Sequence, residues 1–395
     1  MNSRYRFARG LQLILVILFL ASGICTGQLR LTGDASTAFV KSENGGSQYV
    51  VDNGRATFAW QFDLFGDAVI ADNIFFLSTF RMVQDQVLHI DLLEIRLADI
   101  ASTGLNADVG EIDIPFGNLA DRRFPRSNPF FNLPITHEHL TSLRNSNYGL
   151  WPFDNRYVLN GDGMRLLDQG LYDLGVKVYG GVGIFDLSVA VMNGMISSTT
   201  EYSSNYSSVG LNRTGGFGKV VRLAATPATG LTIGASYAAG PFLRQTSSST
   251  VTEYSTGDLI QKIVEGDVDF STGYFSLYGE GFYNVWGLGS YLGTDLRAFG
   301  YSLEGKYAVT PRFSVAARVG GIAFNDVSLS IYQNGGLYQQ FNGPWDRNVF
   351  RLEGAIGYRL DRDALVKAVY QWNRTYDVLA DPHDNLLALQ IVVNF

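Results

Sequence analysis

The amino-acid sequence predicts an all-β chain that closes into a transmembrane antiparallel β-barrel of about 16 strands. The clearest observation is a period of two in hydrophobicity over the last nine residues. Leu387, Leu389, Ile391, Val393 and Phe395 alternate there with small or polar residues, so a strand would carry the two sets on opposite faces. An apolar outer face and a polar inner face are typical of a strand that crosses a bilayer in a barrel. An edge strand of a soluble β-sandwich would show the same alternation, and the rest of the chain has to separate the two.

Composition is the second observation. Of 395 residues, 17% are charged and 13% aromatic, with 44 Gly, 21 Tyr and 26 Phe. This is a low charge and a high aromatic and glycine content for a soluble enzyme. The mean hydropathy of +0.04 is the middle value expected when only alternate residues face lipid. The net charge of -7 argues against a nucleic-acid partner.

The first residues indicate export. We expect 1–27 to be a cleaved signal peptide and 28–395 to be an outer-membrane β-barrel. Three arginines within the first nine residues precede an apolar core at 11–21, which is too short to span a bilayer as a helix. Cleavage after Gly27 or after Gly23 fits the small residues there.

Cys25 is the only cysteine of the chain. A lipoprotein acylated at Cys25 would need a small residue just before it, and Ile24 stands in that place, so this alternative is the weaker one. With cleavage after Gly27 the mature chain has no thiol, and therefore neither a disulfide nor a cysteine nucleophile.

Sixteen alternating runs can be identified along the chain, and bacterial single-chain barrels have an even number of strands. In the first run Arg30, Asp34 and Ser36 are expected to face inward. A phase change within one run predicts a β-bulge. The runs are Leu29–Val40, Thr57–Leu64, Ile74–Met82, Leu88–Ile100 (with the phase change), Leu105–Phe116, Tyr172–Tyr179, Phe185–Val191, Lys219–Ala225, Leu231–Tyr237, Ile263–Phe270, Phe275–Tyr283, Ala298–Val309, Phe313–Val319, Val349–Leu360, Ala364–Arg374 and Leu387–Phe395.

The connections between the runs are the third observation. Those after even-numbered runs are short, at Gly180-Gly181, Pro227–Gly230, Pro311-Arg312 and Asp361–Asp363. Those after odd-numbered runs are mostly longer and polar, at about 194–216, 241–260, 324–347 and 377–385. Short turns at one end and long loops at the other are typical of outer-membrane barrels. The short connection at 83–86 is an exception, and a count of about 14 or 18 strands stays open.

The longest connection is the third long loop, at 118–168. A loop of this length without a periodic pattern is usually functional. It could line the pore and constrict it, or it could cover the outer mouth or contact a neighbouring subunit. Its charged residues are Asp121, Arg122, Arg123, Arg126, Glu138, Arg144, Asp154, Arg156, Asp162, Arg165 and Asp168, and its aromatic residues include Phe130, Phe131, Tyr148, Trp151 and Phe153.

Several short motifs carry a family resemblance. The stretch 109–117, Val-Gly-Glu-Ile-Asp-Ile-Pro-Phe-Gly, resembles the strand ending of porins similar to the phosphate-selective group. The Val-Met-Asn-Gly at 191–194 and the Pro-Ala-Thr-Gly-Leu-Thr-Ile-Gly at 227–234 resemble a strand ending and a turn of the same proteins. One difference is that Glu111 and Asp113 stand where that group favours a basic residue.

The resemblance implies a bacterial outer-membrane porin, in a Gram-negative cell, that forms a water-filled pore for passive diffusion of small hydrophilic solutes or ions. It implies that the third long loop folds into the lumen. It also implies that the assembly machinery reads the final strand ending in Phe395, and that the barrel sits among outer-membrane lipids, in many porins as a homotrimer. It implies no enzyme activity and no cofactor.

The inward charges are the candidate pore lining. Basic residues gather on runs thirteen to fifteen, whereas acids gather on runs five and ten, where Glu265 joins them. Opposed walls of this kind would set a transverse field across a narrow lumen, although any water-filled lumen needs some charged residues. The candidates are Glu111, Asp113, Arg122, Arg123, Arg126, Asp267, Asp269, Glu304, Lys306, Arg318, Arg351, Glu353, Arg359 and Lys367.

Other chemistry is weakly indicated. His137 and His139 flank Glu138, but no third ligand stands at a motif spacing for a metal. Two other functions stay open: a substrate-specific channel whose loop binds a ligand, and a non-conducting structural or adhesive barrel with a plugged lumen. A barrel hydrolase is the weakest alternative, because no nucleophile motif is present.

Overall fold

The computed structural model describes residues 29–43, 56–83, 88–144, 163–167, 171–197, 215–242, 259–288, 293–333, 336–376 and 384–395. Sixteen of its strands form one closed antiparallel barrel, as the alternation predicted. The barrel strands are β1 (Leu29–Ser42), β2 (Thr57–Ala71), β3 (Ile74–Val83), β4 (Leu88–Leu97), β5 (Asn106–Asp113), β8 (Tyr172–Val182), β9 (Phe185–Met192), β10 (Gly218–Ala228), β11 (Leu231–Pro241), β12 (Ile260–Thr272), β13 (Phe275–Trp286), β14 (Leu296–Ala308), β15 (Phe313–Phe324), β18 (Val349–Asp361), β19 (Ala364–Thr375) and β20 (Leu386–Asn394).

The barrel closes where the first strand meets the last. β1 pairs with β20 with Asp34 opposite Asn394 and Ser42 opposite Leu386. The backbone of Phe395 continues this pairing, because its N–H donates to the carbonyl of Gly33 at 3.0 Å and its carbonyl accepts from Gly33 N–H at 2.9 Å. Closure of this kind leaves no free sheet edge, which a membrane barrel requires.

The last strand has the orientation that its alternation predicted. Leu387, Leu389 and Ile391 point outward and are 43%, 48% and 38% exposed. Ala388 and Val392, one position along, are 0% and 1% exposed. The exposed apolar row is the surface that lipid would cover, because apolar side chains in water are unfavourable at about 25 cal/mol per Å².

The orientation predicted for β5 is wrong. Its alternation suggested Ile112, Ile114 and Phe116 outside, yet these are 0%, 2% and 2% exposed and belong to an apolar cluster within the barrel. Glu111, predicted to face inward, is 8% exposed and lies opposite Leu174 in the register, a residue that is 38% exposed. The reason is that Ile112, Ile114 and Phe116 face the lumen where they belong to one apolar cluster with Ile135 and Leu143 of the long loop, rather than facing water.

Two local features were predicted with different success. The phase change in the fourth run is a β-bulge, because Thr79 pairs with Leu92 and Phe80 with Ile90, which leaves Asp91 as the extra residue. The turn predicted at Gly180-Gly181 lies further along, because β8 continues to Val182.

Two hairpins lie outside the barrel and were not predicted. β16 (Asp326–Gln333) pairs with β17 (Gly336–Pro344) within the connection predicted as a loop. β6 (Leu140–Arg144) pairs with β7 (Gly163–Arg165) within the third long loop. The same loop holds a one-turn helix, α1 (Ile135–Glu138), and a 3₁₀ turn at Ala120–Arg122; another 3₁₀ turn, Ile100–Ser102, connects β4 and β5.

Some predicted features fall outside the described residues. They are the signal segment 1–27 and, in the long loop, Tyr148, Trp151, Phe153, Asp154, Arg156, Asp162 and Asp168. Within the ranges described above, no helix is long and apolar enough to cross a membrane.

Candidate pore constriction

Residues 114–144, which follow β5 and include the first described part of the third long loop, lie against the inner faces of seven neighbouring strands: β11, β12, β13, β14, β15, β18 and β19. The loop leaves β5 with its apolar side chains in the luminal cluster. The backbone N–H of Gly117 then donates to Ser236 Oγ on β11 at 3.0 Å. Asn118 Nδ2 donates to Asp269 on β12 at 3.3 Å. These first contacts direct the chain across the barrel rather than out of it.

Cationic side chains hold the middle of the loop. Arg122 bonds Glu304 on β14 and places its guanidinium 3.9 Å from the ring centre of Tyr278. Lys367 on β19 donates through Nζ to three loop carbonyls, those of Pro125 (2.9 Å), Asn128 (2.9 Å) and Phe130 (3.2 Å). An ammonium has three donor hydrogens, so this one is fully used by the loop.

Arg318 on β15, two strands away from β19 in the barrel, also holds the loop. Its Nη2 donates to the carbonyl of Asn132 at 2.7 Å and to Glu353 at 2.9 Å. Its guanidinium also lies 4.2 Å from the ring centre of Phe130. A planar guanidinium is suited to this combination of carboxylate, carbonyl and aromatic contacts.

The helix α1 is held by carboxylates and by Arg351. Thr136 Oγ1 donates to Glu280 on β13 at 2.7 Å, and His137 Nε2 lies 3.2 Å from the same carboxylate. Arg351 on β18 donates to Glu138 at 2.8 Å. Burial raises the pKa of the Glu138 carboxyl above its usual value, and the nearby Arg351 opposes this shift without cancelling it.

Four residues predicted to line open water therefore lie beneath the loop. Arg318, Arg351, Glu353 and Lys367 are between 1% and 3% exposed. Glu304, with Arg122 and Arg318 as partners, is 5% exposed. Their inward direction follows from the alternation, but the sequence does not tell whether an inward side chain meets water or a folded segment. The predicted basic wall is thus an anchor for the loop.

The predicted acidic wall is partly neutralised. Asp267 accepts from Nη2 of Arg222 at 3.0 Å. Arg222 is a basic residue of β10 that was not among the candidates from the sequence. Asp269 is the acceptor for Asn118. Asp113, at the end of β5, lies within electrostatic reach of Arg123 in the loop.

Open space remains on the other side of the barrel. A cavity of about 710 Å³ lies between the loop and strands β20, β1, β2 and β3. Ser36, Gln61, Arg81, Arg123 and Gln390 are among its lining residues. A second cavity of about 830 Å³ lies in the same sector towards the short-turn end, lined by Arg30, Thr32, Phe65, Arg126, Arg362 and Asn394 among others.

One layer of side chains separates the two cavities. Asp34 follows Thr32 and precedes Ser36 in the inward row of β1, and Asp63 lies opposite it on β2. Asp34 Oδ2 is 3.5 Å from Nε of Arg126 in the loop, whose side chain is 46% exposed. Asp63 accepts from Arg81 Nε at 2.8 Å. We name Asp34, Asp63, Arg81 and Arg126 the charged layer.

Aromatic rings of the loop and wall complete this level. Phe124 packs edge-on against Phe65 with ring centres 4.9 Å apart. Arg123 lies 3.9 Å from the ring centre of Tyr172 and 4.6 Å from that of Phe124. Burial, reinforced by the nearby Arg81 guanidinium, lowers the pKa of Arg123 to about 10.

Sequence reasoning placed Asp34 inward but did not single it out, and it did not identify Asp63 or Arg81. Arg123 and Arg126, which it did identify, lie at this level. Lys306 and Arg359 lie elsewhere, at the short-turn end of β14 and β18. Asp34 and Asp63 could have been found in the sequence as acids at inward positions of the first two strands.

The two histidines of the loop contact different carboxylates. His137 lies by Glu280, and His139 Nε2 is 3.6 Å from Asp346 Oδ2. In the part of the chain that the structure covers, no group of three or more His, Cys, Asp or Glu side chains is arranged to hold a metal.

Comparisons with known proteins identify the fold. No protein-family model matches the chain, and no curated protein matches it. Among solved structures it is similar to the anion-selective porin from Comamonas acidovorans (TM-score 0.55, 10% identity, covering 93% of this chain and 100% of that one). It is also similar to Salmonella typhi OmpF in complex with daunomycin (0.54, 11%, 93% and 98%) and to the outer membrane channel DcaP of Acinetobacter baumannii (0.53, 12%, 93% and 97%). The chain therefore has the sixteen-stranded β-barrel fold of these outer-membrane porins.

Proposed function

We propose that the protein is an outer-membrane channel for passive diffusion of small hydrophilic solutes or ions. The observation that carries the proposal is the pair of cavities in one sector of the barrel, which lie on either side of the charged layer. The loop is anchored along β11 to β19 and leaves this sector as the space through which a solute could pass. A channel needs this arrangement, whereas a barrel that serves only as a scaffold does not.

Selection would take place at the charged layer. Wall carboxylates contact guanidinium groups there: Asp63 lies 2.8 Å from Arg81 of the wall, and Asp34 lies 3.5 Å from Arg126 of the loop. Opposed charges in a narrow space orient dipolar solutes and weight ions by sign. The Asp34–Arg126 contact is long, and Arg126 is half exposed, so this side chain can move aside more readily than the buried anchors.

Targeting and assembly follow the same proposal. The predicted signal peptide would direct the chain through the inner membrane, and Phe395 would present the last strand to the assembly machinery of the outer membrane. A homotrimer is supported by the trimer form described for the structurally similar OmpT of Vibrio cholerae (TM-score 0.54, 10% identity, covering 93% of this chain and 99% of that one). The porin fold favours a channel over an enzyme. The likeness to the phosphate-selective group rests on its three short motifs alone.

A non-conducting barrel is the second candidate. It is favoured by the closeness of Phe124 and Arg126 to the wall, because these side chains fill the level between the two cavities. A substrate-specific channel would differ from both in showing a saturable block by its ligand.

Single-channel conductance of the refolded protein in a planar bilayer, with a salt gradient across it, tests the proposal. We expect steady steps and a reversal potential that gives the ion preference. Arg126→Ala should raise the conductance and move the reversal potential towards cation preference, because it removes a cation and side-chain volume from the charged layer. Lys262→Ala, which removes the same charge from an exposed position on β12, is the matched control. A correctly folded barrel that gives no steps, with or without Arg126→Ala, would refute the diffusion channel.

A further inference from the structure

A third cavity lies beneath the loop at the short-turn end of the barrel. Its volume is about 140 Å³, well above the roughly 10–15 Å³ that one water needs. The wall contributes Lys306 of β14, Arg359 of β18 and Lys367 of β19, and the β14–β15 turn contributes Arg312. The loop covers it with residues 126–129. The space is therefore large enough for a small hydrated ion.

All charged side chains that line this cavity are cationic. Within the described part of the chain, no carboxylate lines this cavity. Lys367 has its donors on loop carbonyls, and Arg126 lies near Asp34. Lys306, Arg312 and Arg359 have no ion-pair partner among the described residues.

The nearest acid does not neutralise this group. Glu304 lies two residues before Lys306 on the same face of β14, within its electrostatic reach. It is already bonded to Arg122 and Arg318. Lys306 also lies within electrostatic reach of Arg359 and Lys367. The like charges of Lys306, Arg359 and Lys367 repel one another, so an anion bound among them would be electrostatically favourable.

We propose that this cavity binds a small oxyanion, of the phosphate, sulfate or carboxylate class. Guanidinium and ammonium groups recognise such anions through short charge-assisted hydrogen bonds. The site would hold the anionic group of a solute at the short-turn mouth, next to the charged layer through Arg126. Its role in transport rests on the proposed function, but the binding itself needs only the folded barrel.

Calorimetric titration of sodium phosphate into the refolded full-length barrel in detergent tests the site. Sodium chloride at equal ionic strength serves as the screening control. We expect saturable binding of phosphate, at least tenfold weaker in the Lys306→Gln/Arg359→Gln variant. Lys262→Gln/Arg297→Gln removes the same charge from exposed positions at the loop end and should bind as the wild type does. If the double variant does not fold, Arg359→Gln alone carries the test, because this side chain is exposed.

Three results would overturn the proposal: no saturable binding to the wild type, equal binding to the Lys306→Gln/Arg359→Gln variant, or equal heats from chloride. The same preparations give single-channel conductance. Conductance without phosphate binding would contradict the proposed oxyanion site but not the proposed channel. Phosphate binding to a barrel that does not conduct would contradict the proposed channel but not the oxyanion site.

Discussion

Lys367→Met should release the middle of the long loop from the barrel wall. The wild-type ammonium is 1% exposed and donates to the carbonyls of Pro125, Asn128 and Phe130. Methionine keeps the length and apolar character of the side chain but has no donor. The three carbonyls would then lose this donor.

The expected magnitude follows from these contacts. A hydrogen bond to a charged group contributes about 1.5–3 kcal/mol, so three bonds give a gross value of roughly 4.5–9 kcal/mol. Burial of the ammonium offsets several kcal/mol of this. A net loss of about 3 kcal/mol corresponds to a roughly 100-fold rise in the population of the open loop.

Hydrogen exchange of the refolded barrel measures this opening. Amides of 122–138 should exchange roughly 100-fold faster in Lys367→Met, while those of the barrel strands keep their protection. Lys262→Met changes the same residue type at an exposed position and should leave the loop unchanged. If the Lys367→Met barrel folds with native strand protection and its loop exchanges as in the wild type, the anchor does not stabilise the loop and the reasoning is wrong.

Three further predictions concern single residues. Ile112→Ala should lower the free energy of unfolding by about 2–4 kcal/mol because the side chain is fully buried in the luminal cluster. Val109→Ala, at a 45% exposed outward position, should change the free energy of unfolding by under about 1 kcal/mol. Equal values for the two variants in urea titrations would contradict the orientation of β5. Glu138→Gln tests pH dependence. Because burial raises the pKa of Glu138 in the folded state, the contribution of this carboxyl to loop stability is fully present below the ordinary carboxyl pKa and is lost as pH rises through the raised value. Hydrogen exchange of 133–140 in the variant should therefore match the wild type at pH 4 and be slower than in the wild type at pH 8, and a difference that does not change with pH would contradict this prediction. Asp34→Asn should shift the reversal potential towards anion preference, because it removes an acid from the charged layer; an unchanged potential in the same salt gradient would place the selecting residues elsewhere.

Much of the barrel could be predicted because lipid imposes a simple rule on outward positions. Leu387, Leu389 and Ile391 are apolar since they face the membrane, and the small or polar residues between them give the alternation its contrast. On β5 the contrast fails, because Ile112 and Ile114 are apolar for a different reason, namely contact with the loop. Where both faces of a strand are apolar or where charged residues occur on either, hydrophobicity alone does not determine the phase.

The site was harder to predict because its partners are backbone groups and distant strands. The carbonyls that Lys367 binds have no signature in the sequence, and Asp34 and Asp63 become neighbours only through the register of β1 and β2. The β16–β17 hairpin does have a signal in the sequence: Asn334-Gly335 stands between the two strands, and Asn-Gly between two strands is a strong hairpin indicator.

The inward charges of this barrel therefore divide into two groups by what they contact. Arg318, Arg351 and Lys367 are buried against the loop, and their charge serves to fix one conformation of it. Arg126, Lys306 and Arg359 line a cavity, and in the proposed channel they are the charges that a solute would meet. Lys306 and Arg359 belong to the same sector of the wall as the anchors but lie at its short-turn end, beneath the loop, and Arg126 belongs to the loop itself. The anchors thus fix the part of the lumen that the loop fills, and in the proposed channel the second group would weight ions by sign.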